Sequence, residues 1–385
     1  MTTGRILTTH TGSLPRPRAL VQLYAWRVDG KPIDEARLAA LGALATREVV
    51  RKQAEVGIDI PSDGEQLRES FFLYVQRRMS GFGGQWERPG GHELDAYPEF
   101  AAARAALMAD TTLVSNFRAP MATGPVSYSN PEANATELRV FKEAMDEQGG
   151  VFADAFMTAP SPGIVERALK NAHYPSDADY LDALADALSV EYRAAIEAGL
   201  MLQIDAPDLA LERHVSFSGR PIEDFVRFTE QVVARINRAI SGLPKDRIRL
   251  HVCWGNYESP HDKDVALEAI LPAVLEAEVG SFVLPFANPR HAHELKLFRG
   301  NRLKPDQTLI AGVIDTQSVF VEHPEVVADR LQQAVEMVGD PSRIQAGTDC
   351  GFDTSAGMGR ITADVVWAKL RTLREGADLA SGRVF

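Results

Sequence analysis

Three features of the 385-residue sequence predict an α/β fold arranged as a single (β/α)₈ barrel of the TIM type. Eight short apolar runs alternate with amphipathic stretches of helical periodicity, which is typical of parallel strands joined by helices. Seven of these runs end in polar or glycine-rich residues. A doubly wound open sheet is the alternative, but no GxGxxG motif is found after any run.

The strands are predicted from apolar runs of strand length that are bounded by turn residues. The predicted strands are RILTTH (5–10), GIDIPSD (57–63), VFADAFMTA (151–159), LMLQID (200–205), RIRLHVC (247–253), SFVLPF (281–286), TLIAGVID (308–315) and RIQAGTD (343–349).

Three stretches between these runs have clear helical signals. Residues 34–56 carry apolar side chains at spacings of three and four. The stretch 175–199 begins with Ser176 as a predicted N-cap and ends at Gly199, and the stretch 323–339 ends in the same way at Gly339. These helices give the alternation that a barrel requires.

Two segments are surplus to the eight-unit repeat. Residues 111–129 predict an extra strand pair or a long inserted loop, and the glycine-rich residues 80–100 predict a loop over one mouth of the barrel. We therefore expect one catalytic barrel domain, residues 1–385, with an insertion around 80–130.

The amino-acid composition limits the kinds of molecule that the protein is expected to bind. With 41 basic and 53 acidic residues, the net charge of −12 disfavours binding to nucleic acid or to an anionic membrane surface. No apolar run is long enough to span a bilayer, and the first residues lack the apolar core of a signal peptide. Two cysteines cannot form a disulfide framework. We expect a cytoplasmic protein with small-molecule partners, and a homo-oligomer is left open.

The strand ends carry the chemistry. In a barrel, the carboxyl ends of all strands meet at one face, which is where active sites lie. His251 and Cys253 lie two residues apart at the end of the fifth predicted strand, so their side chains point to the same face, and Cys350, the second cysteine, follows the eighth. Histidine with two thiolates is a ligand set that favours zinc. The alternative is that both cysteines are buried thiols and His251 is a core imidazole.

Six motifs resemble one family. HTGSLPRP, SDGEQ, QIDAPDLA, HVCWGNYESPH, FANPRHAHE and TDCGF are similar to the catalytic barrel of cobalamin-independent methionine synthase. They are closer still to its single-barrel relatives, which include the epoxyalkane:coenzyme M transferases. The resemblance implies a barrel that holds Zn²⁺, which activates a substrate thiol for attack on an alkyl group.

The resemblance implies that His251, Cys253 and Cys350 are zinc ligands. The glutamate that is the fourth ligand in the family corresponds to Pro285, which has no donor atom in its side chain. Either the zinc has three protein ligands and an open position, or another residue substitutes, or the metal is lost. The nearby candidates for a substitute are His10, Asp349 and His291.

The resemblance also predicts substrate contacts. Glu65 and Asp205 correspond to the acids that bind the amino group of homocysteine, and Ser13 lies in the first strand-end motif. Arg290 is the predicted cation for an anionic substrate group. Three further residues are predicted to support the site or to transfer protons, namely Asp315, His291 and Gln317, the last of which replaces a catalytic histidine of the family.

The predicted activity is zinc-dependent S-alkylation of a thiol, with methyl transfer to homocysteine or a similar thiol as the first reading. Opening of an epoxide by a zinc-bound thiolate, as in the coenzyme M transferases, is the second. A metal-free lyase related to uroporphyrinogen decarboxylase is the third, and it is kept open by Pro285. A non-enzymatic zinc carrier explains the converging polar strand ends least well.

Overall fold

The computed structural model describes residues 4–109, 111–300 and 302–385. Its nine strands are β1 (Leu7–Thr8), β2 (Met79–Glu87), β3 (Arg118–Tyr128), β4 (Phe156–Pro160), β5 (Met201–Asp205), β6 (Ile248–His251), β7 (Ser281–Pro285), β8 (Thr308–Ile314) and β9 (Ile344–Thr348). Its α-helices are α1 (Arg18–Val28), α2 (Glu35–Val56), α3 (Pro98–Met108), α4 (Pro131–Asp146), α5 (Pro162–Ala168), α6 (Asp177–Glu197), α7 (Asp208–Leu211), α8 (Ile222–Ala239), α9 (Leu267–Val274), α10 (Pro324–Val338) and α11 (Ala363–Val384).

Seven of the strands form one parallel sheet in the order β1-β9-β8-β7-β6-β5-β4. Strands β4 to β7 are buried along their whole length, as expected for strands covered on both faces. Helices alternate with these strands along the chain. The predicted TIM-type α/β architecture is therefore confirmed.

The prediction of a second strand over residues 57–63 is wrong, although these residues lie at the position in the barrel where that strand was expected. Residues 57–63 make only a single bridge, between Ile60 and Thr9. The amide of Ile60 donates to the carbonyl of Thr8, and the amide of Phe156 donates to the carbonyl of Pro61, so this segment joins β1 to β4. Pro61 has no amide hydrogen, which prevents a regular ladder from continuing at that point.

The predicted helix ends are confirmed. Ser176 accepts a hydrogen bond from the amide of Asp179 at the start of α6, and Asp34 caps α2 in the same manner. Gly339 ends α10 in the left-handed conformation (φ +84°), which costs a glycine little because it has no Cβ. Among the described residues, no helix combines the length and the apolar character that crossing a bilayer requires.

The insertion contains a pair of antiparallel strands rather than a plain loop. Strand β2 pairs with β3, so the loop predicted over residues 80–100 is wrong for residues 80–87, and the strand pair or long loop predicted over 111–129 contributes one strand, β3. The three glycines in β2 hid the strand, because glycine is disfavoured in strand interiors. Register shifts divide the strand pair into short paired pieces.

A network of buried ion pairs attaches this pair of strands to the barrel. Arg68 donates to both oxygens of Glu137 (2.8 and 2.9 Å), and Arg78 donates to Glu137 (2.5 Å) and to Glu191 (2.7 Å). Arg68 also donates to the carbonyl of Thr158 in β4 at 2.8 Å. Helices α4 and α6, strand β4 and the start of β2 are thus tied together.

Candidate metal centre

The register of two neighbouring strands positions the first ligand. Asp205 and His251 are paired Cα partners at the ends of β5 and β6, so their side chains leave the sheet side by side. His251 Nδ1 lies 2.9 Å from Asp205 Oδ1, and we assign the donated proton to Nδ1. This leaves His251 Nε2, which is buried and has no hydrogen-bond partner among the described residues.

Both cysteines converge on this histidine. Each lies two residues beyond its strand, Cys253 after β6 and Cys350 after β9. The prediction that the fifth strand includes Cys253 is therefore wrong, since β6 ends at His251. The ligand atoms of His251, Cys253 and Cys350 nevertheless all lie within 4.8 Å of one another.

The spacing of the sulfurs fits zinc. The two Sγ atoms are 3.7 Å apart, which is far longer than the roughly 2.05 Å of a disulfide. A tetrahedral site with Zn–S bonds of about 2.3 Å places two sulfurs about 3.8 Å apart. The unpartnered nitrogen of His251 supplies a third donor, so the residues present fit a zinc ion.

The charges of the cluster suit a cation. A hydrogen bond with Cys350, followed by the charge of His251, lowers the pKa of Cys253 well below its ordinary value despite burial. The same pairing, with burial, raises the pKa of Cys350. Burial lowers the pKa of His251, but the Cys253 thiolate and Asp205 outweigh it and raise that pKa to about 10. The thiolate form of Cys253, which is the form that binds metals, is therefore favoured, and an ion that binds Nε2 of His251 displaces the second proton of that ring.

The three residues named above as substitute ligands are engaged elsewhere. Asp349 accepts four hydrogen bonds at 2.8 to 3.0 Å from the backbone and the Asn288 side chain of the loop after β7. His10 is bonded to Gln53 (2.7 Å) and to the amide of Gly12 (3.2 Å). His291 is bonded on both ring nitrogens, to Glu294 (2.8 Å) and to Asp264 (2.9 Å). Three protein donors therefore remain.

The first cavity beside the cluster has a volume of about 100 Å³. A single water needs only about 10–15 Å³ by this kind of measure, so the cavity has room for a small organic molecule. The predicted residues Ser13, Glu65 and Asp205 line it together with the three cluster residues. Both predicted acids and Ser13 therefore lie on the same cavity in the structure.

Glu65 is the most strained and least satisfied group in this cavity. Its backbone is left-handed (φ +58°), a conformation that costs a residue with a Cβ about 1–2 kcal/mol. Oε1 accepts a bond from Thr158 at 3.1 Å, whereas Oε2 has no hydrogen-bond partner among the described residues. Burial, then the charge of Asp205, raises the pKa of Glu65 to about 8. Its nearest cation, Arg16, is 3.8 Å from Oε2.

A second cavity of about 210 Å³ also borders the cluster. Cys253 and Cys350 line both cavities. The remaining predicted residues line this second cavity and not the first, namely Arg290, His291, Asp315 and Gln317. The predicted site is therefore split into two groups that meet at the sulfurs.

The four residues that line the second cavity are held by contacts with neighbouring residues. Arg290 is exposed, and its guanidinium donates to the carbonyl of Asp262 at 3.2 Å. Asp315 accepts from the amide of Gln317 at 2.9 Å and so shapes its own loop. The Gln317 side chain donates to Asn256. His291 stacks on Trp254 with ring centroids 3.7 Å apart.

Sequence reasoning missed residues whose partners are distant in the chain. Arg249, buried inside the barrel, donates to Gln203 (2.6 Å), and Gln203 donates to Asp205 (2.8 Å). This chain of hydrogen bonds supports the carboxylate that orients His251. Asn256 donates to the carbonyl of Gly351 at 2.7 Å and lines both cavities. The signal for Asn256 was its place in HVCWGN, whereas Arg249 had none.

The barrel and its strand-end site define a family. Residues 6–377 match the family described as the cobalamin-independent synthase, catalytic domain. The chain therefore belongs to this family, as the resemblance predicted.

Curated relatives and solved structures agree with this assignment. The methionine synthase of Sulfolobus acidocaldarius is 26% identical over 349 residues, which cover 90% of this chain and 85% of the relative. The methionine synthase of Thermococcus kodakarensis is 27% identical over 347 residues, covering 90% and 86%. A B12-independent methionine synthase from Shewanella sp. W3-18-1, solved with selenomethionine, shares the fold with a TM-score of 0.72 at 21% identity, covering 98% of both chains.

Proposed function

We propose that this protein is a zinc-dependent methyltransferase that methylates the sulfur of homocysteine. The single observation that best supports a bound metal ion is the buried, unpartnered Nε2 of His251, which lies near two sulfurs that are 3.7 Å apart. His251, Cys253 and Cys350 would hold the ion. When bound, Zn²⁺ supplies the positive charge that keeps a substrate thiol deprotonated at neutral pH.

The first cavity provides the recognition of the thiol substrate. Glu65 Oε2 is buried without a partner, and Asp205 lies close enough to raise its pKa. A substrate ammonium group satisfies both acids at once, because it donates hydrogen bonds and neutralises their repulsion. This feature favours homocysteine over a thiol that has no amino group.

The second cavity provides the approach of the alkyl donor. Cys253 and Cys350 line it as they line the first cavity, whereas Glu65 does not, so a donor held in it would lie beside the sulfurs and apart from the acids. The side chain of Gln317, which replaces the family's catalytic histidine, cannot serve as a general acid in the same way. The methyl donor is therefore proposed to differ from polyglutamyl folate.

The test compares three thiols by calorimetry with zinc-loaded protein: homocysteine, 4-mercaptobutanoate, which lacks the amino group, and coenzyme M. We expect homocysteine to bind more tightly than 4-mercaptobutanoate by about 1.5–3 kcal/mol, the value of a charge-assisted hydrogen bond. Glu65→Gln should remove most of this preference, and it leaves the support of His251 intact. Asp205→Asn should also weaken metal binding, because Asp205 orients the ligand.

Asp315→Asn is the matched control, since Asp315 lines only the second cavity and should leave the preference unchanged. Tighter binding of coenzyme M, insensitive to Glu65→Gln and weakened by Arg290→Ala, would reject the amino-acid substrate. That result would instead support the epoxide-opening reaction.

A further inference from the structure

A second group of potential metal ligands lies outside the candidate centre. The ligand atoms of Glu93, His214 and Asp264 are all within 4.8 Å of one another. They come from three separate segments: the insertion between β2 and α3, the loop after α7 and the loop after β6. Their exposed fractions are only 1%, 3% and 9%.

Each of these residues has a buried atom left without a hydrogen bond among the described residues. The atoms are Glu93 Oε2, His214 Nδ1 and Asp264 Oδ1. His214 Nδ1 and Asp264 Oδ1 are 3.4 Å apart. Tetrahedral coordination with bonds of about 2.0–2.1 Å sets two such donors about 3.3–3.4 Å apart. The spacing therefore fits a small divalent ion between them.

The other polar atom of each residue is already held, which fixes the orientation of all three. Support of this kind is typical of metal ligands, whose far atoms are bonded to neighbouring groups. The supporting contacts are Ser259 to Glu93 Oε1 (2.5 Å), His214 Nε2 to the Tyr257 hydroxyl (2.5 Å), and both His261 (3.0 Å) and His291 (2.9 Å) to Asp264 Oδ2.

The arrangement of these atoms favours a bound cation. A histidine nitrogen and carboxylate oxygens face one another in a buried space without hydrogen-bond partners among the described residues. An unpaired arrangement of this kind is costly unless a cation lies within it.

We propose that Glu93, His214 and Asp264 form a second site, which binds a divalent transition-metal ion with a preference for nitrogen and oxygen ligands, such as Zn²⁺ or Mn²⁺. The ion fastens the insertion to two barrel loops. The neighbouring residues Arg88, Leu211 and Tyr257 line the first cavity, so the ion stabilises a wall of that cavity. This site does not depend on the proposed methyl transfer.

The experiment measures metal content after dialysis against Zn²⁺ and against Co²⁺. We expect about two ions per chain in the wild-type protein and about one in the Cys253→Ser/Cys350→Ser variant. The remaining Co²⁺ should show no sulfur-to-cobalt charge-transfer band, because its ligands are nitrogen and oxygen. In an otherwise wild-type protein, Glu93→Gln should lose one ion and keep the sulfur band. We expect its affinity at this site to fall by at least about 100-fold, the upper range for loss of a mere supporting contact.

Asp95→Asn is the matched control, because Asp95 belongs to the same short turn but its side chain is 76% exposed. It should keep both ions. The proposal is overturned if wild-type protein binds only the ion with the sulfur band, or if Glu93→Gln keeps two ions. If the cysteine variant loses no ion, the zinc centre of the proposed function fails while this second site stands.

Discussion

The molecule contains two buried groups of charges that differ in how fully they are paired. In the network of Arg68, Arg78, Glu137 and Glu191, both oxygens of Glu137 accept from guanidinium groups. In the first cavity, Glu65 Oε2 and His251 Nε2 have no hydrogen-bond partner among the described residues. Burial alone therefore does not distinguish these two groups of charges, whereas the hydrogen bonding of their buried atoms does.

The difference also appears in the pKa values of the two glutamates. Burial raises the pKa of Glu137, but Arg68 and Arg78 outweigh it and lower that pKa to about 2. Burial and Asp205 raise the pKa of Glu65 to about 8. The paired group stabilises the fold as a carboxylate, and the unpaired group opposes the fold in the same state. An unpaired buried acid persists where a cationic ligand satisfies it.

The largest effect should come from removing a ligand of the metal centre. Cys350→Ala should lose bound zinc and lower the rate of methyl transfer by at least about 10³-fold, since a metal contributes several kcal/mol to such a step. The fold should persist, because the barrel core does not include the ion. Elemental analysis and circular dichroism measure both. Full zinc occupancy in Cys350→Ala would contradict the ligand assignment.

The paired network should give the largest effect on stability. Glu137→Gln leaves Arg68 and Arg78 short of a counter-charge in a buried site and should lower the free energy of unfolding by about 3–5 kcal/mol. Glu143→Gln in the same helix is the control, since its ion pairs are exposed and each contributes about 1 kcal/mol at most. Equal losses in the two urea titrations would show that the network is not special.

The two glutamates should respond to pH in opposite directions. Because the pKa of Glu65 is raised from 4.5 to about 8 in the folded state, the stability that its protonated form contributes is lost as pH rises from 4.5 to about 8. Metal-free Glu65→Gln should therefore match wild type near pH 5 and exceed its unfolding free energy at pH 9 by about 2–4 kcal/mol. For Glu137 the folded pKa is lowered, so its contribution is lost as pH falls below about 4.5 toward 2. A Glu65→Gln advantage that does not change between pH 5 and 9 would contradict this assignment.

The smallest effect should come from Arg290. Its side chain is exposed and lines only the second cavity, so Arg290→Ala should change homocysteine affinity and stability by less than about 0.5 kcal/mol. Calorimetry and thermal unfolding measure the two quantities. A clear loss of homocysteine affinity would show that the two cavities bind one substrate jointly.

The regular part of the fold was predictable because its signals are local. Alternating apolar runs and amphipathic helices define the strands and helices, and capping residues such as Ser176 and Gly339 define their ends. An extra strand pair or loop was expected in the insertion, but β2 and its pairing with β3 were not predictable, since β2 is rich in glycine and its partner begins about thirty residues later. Pairing between strands so far apart in the chain depends on tertiary contacts, which local sequence patterns do not show.

The candidate metal centre also has features that the sequence determined and features that only the packed structure decided. The sequence by itself determined the donor atoms at the strand ends, because parallel strands bring their carboxyl ends to one face whatever their loops contain. Only the tertiary structure decided which donors are free. His251 ends one barrel strand and His291 follows the next, yet His291 is bonded on both nitrogens and His251 on one. The physical reason is that partners such as Asp205 and Asp264 come from other segments of the chain, and their number is fixed only when the chain is packed.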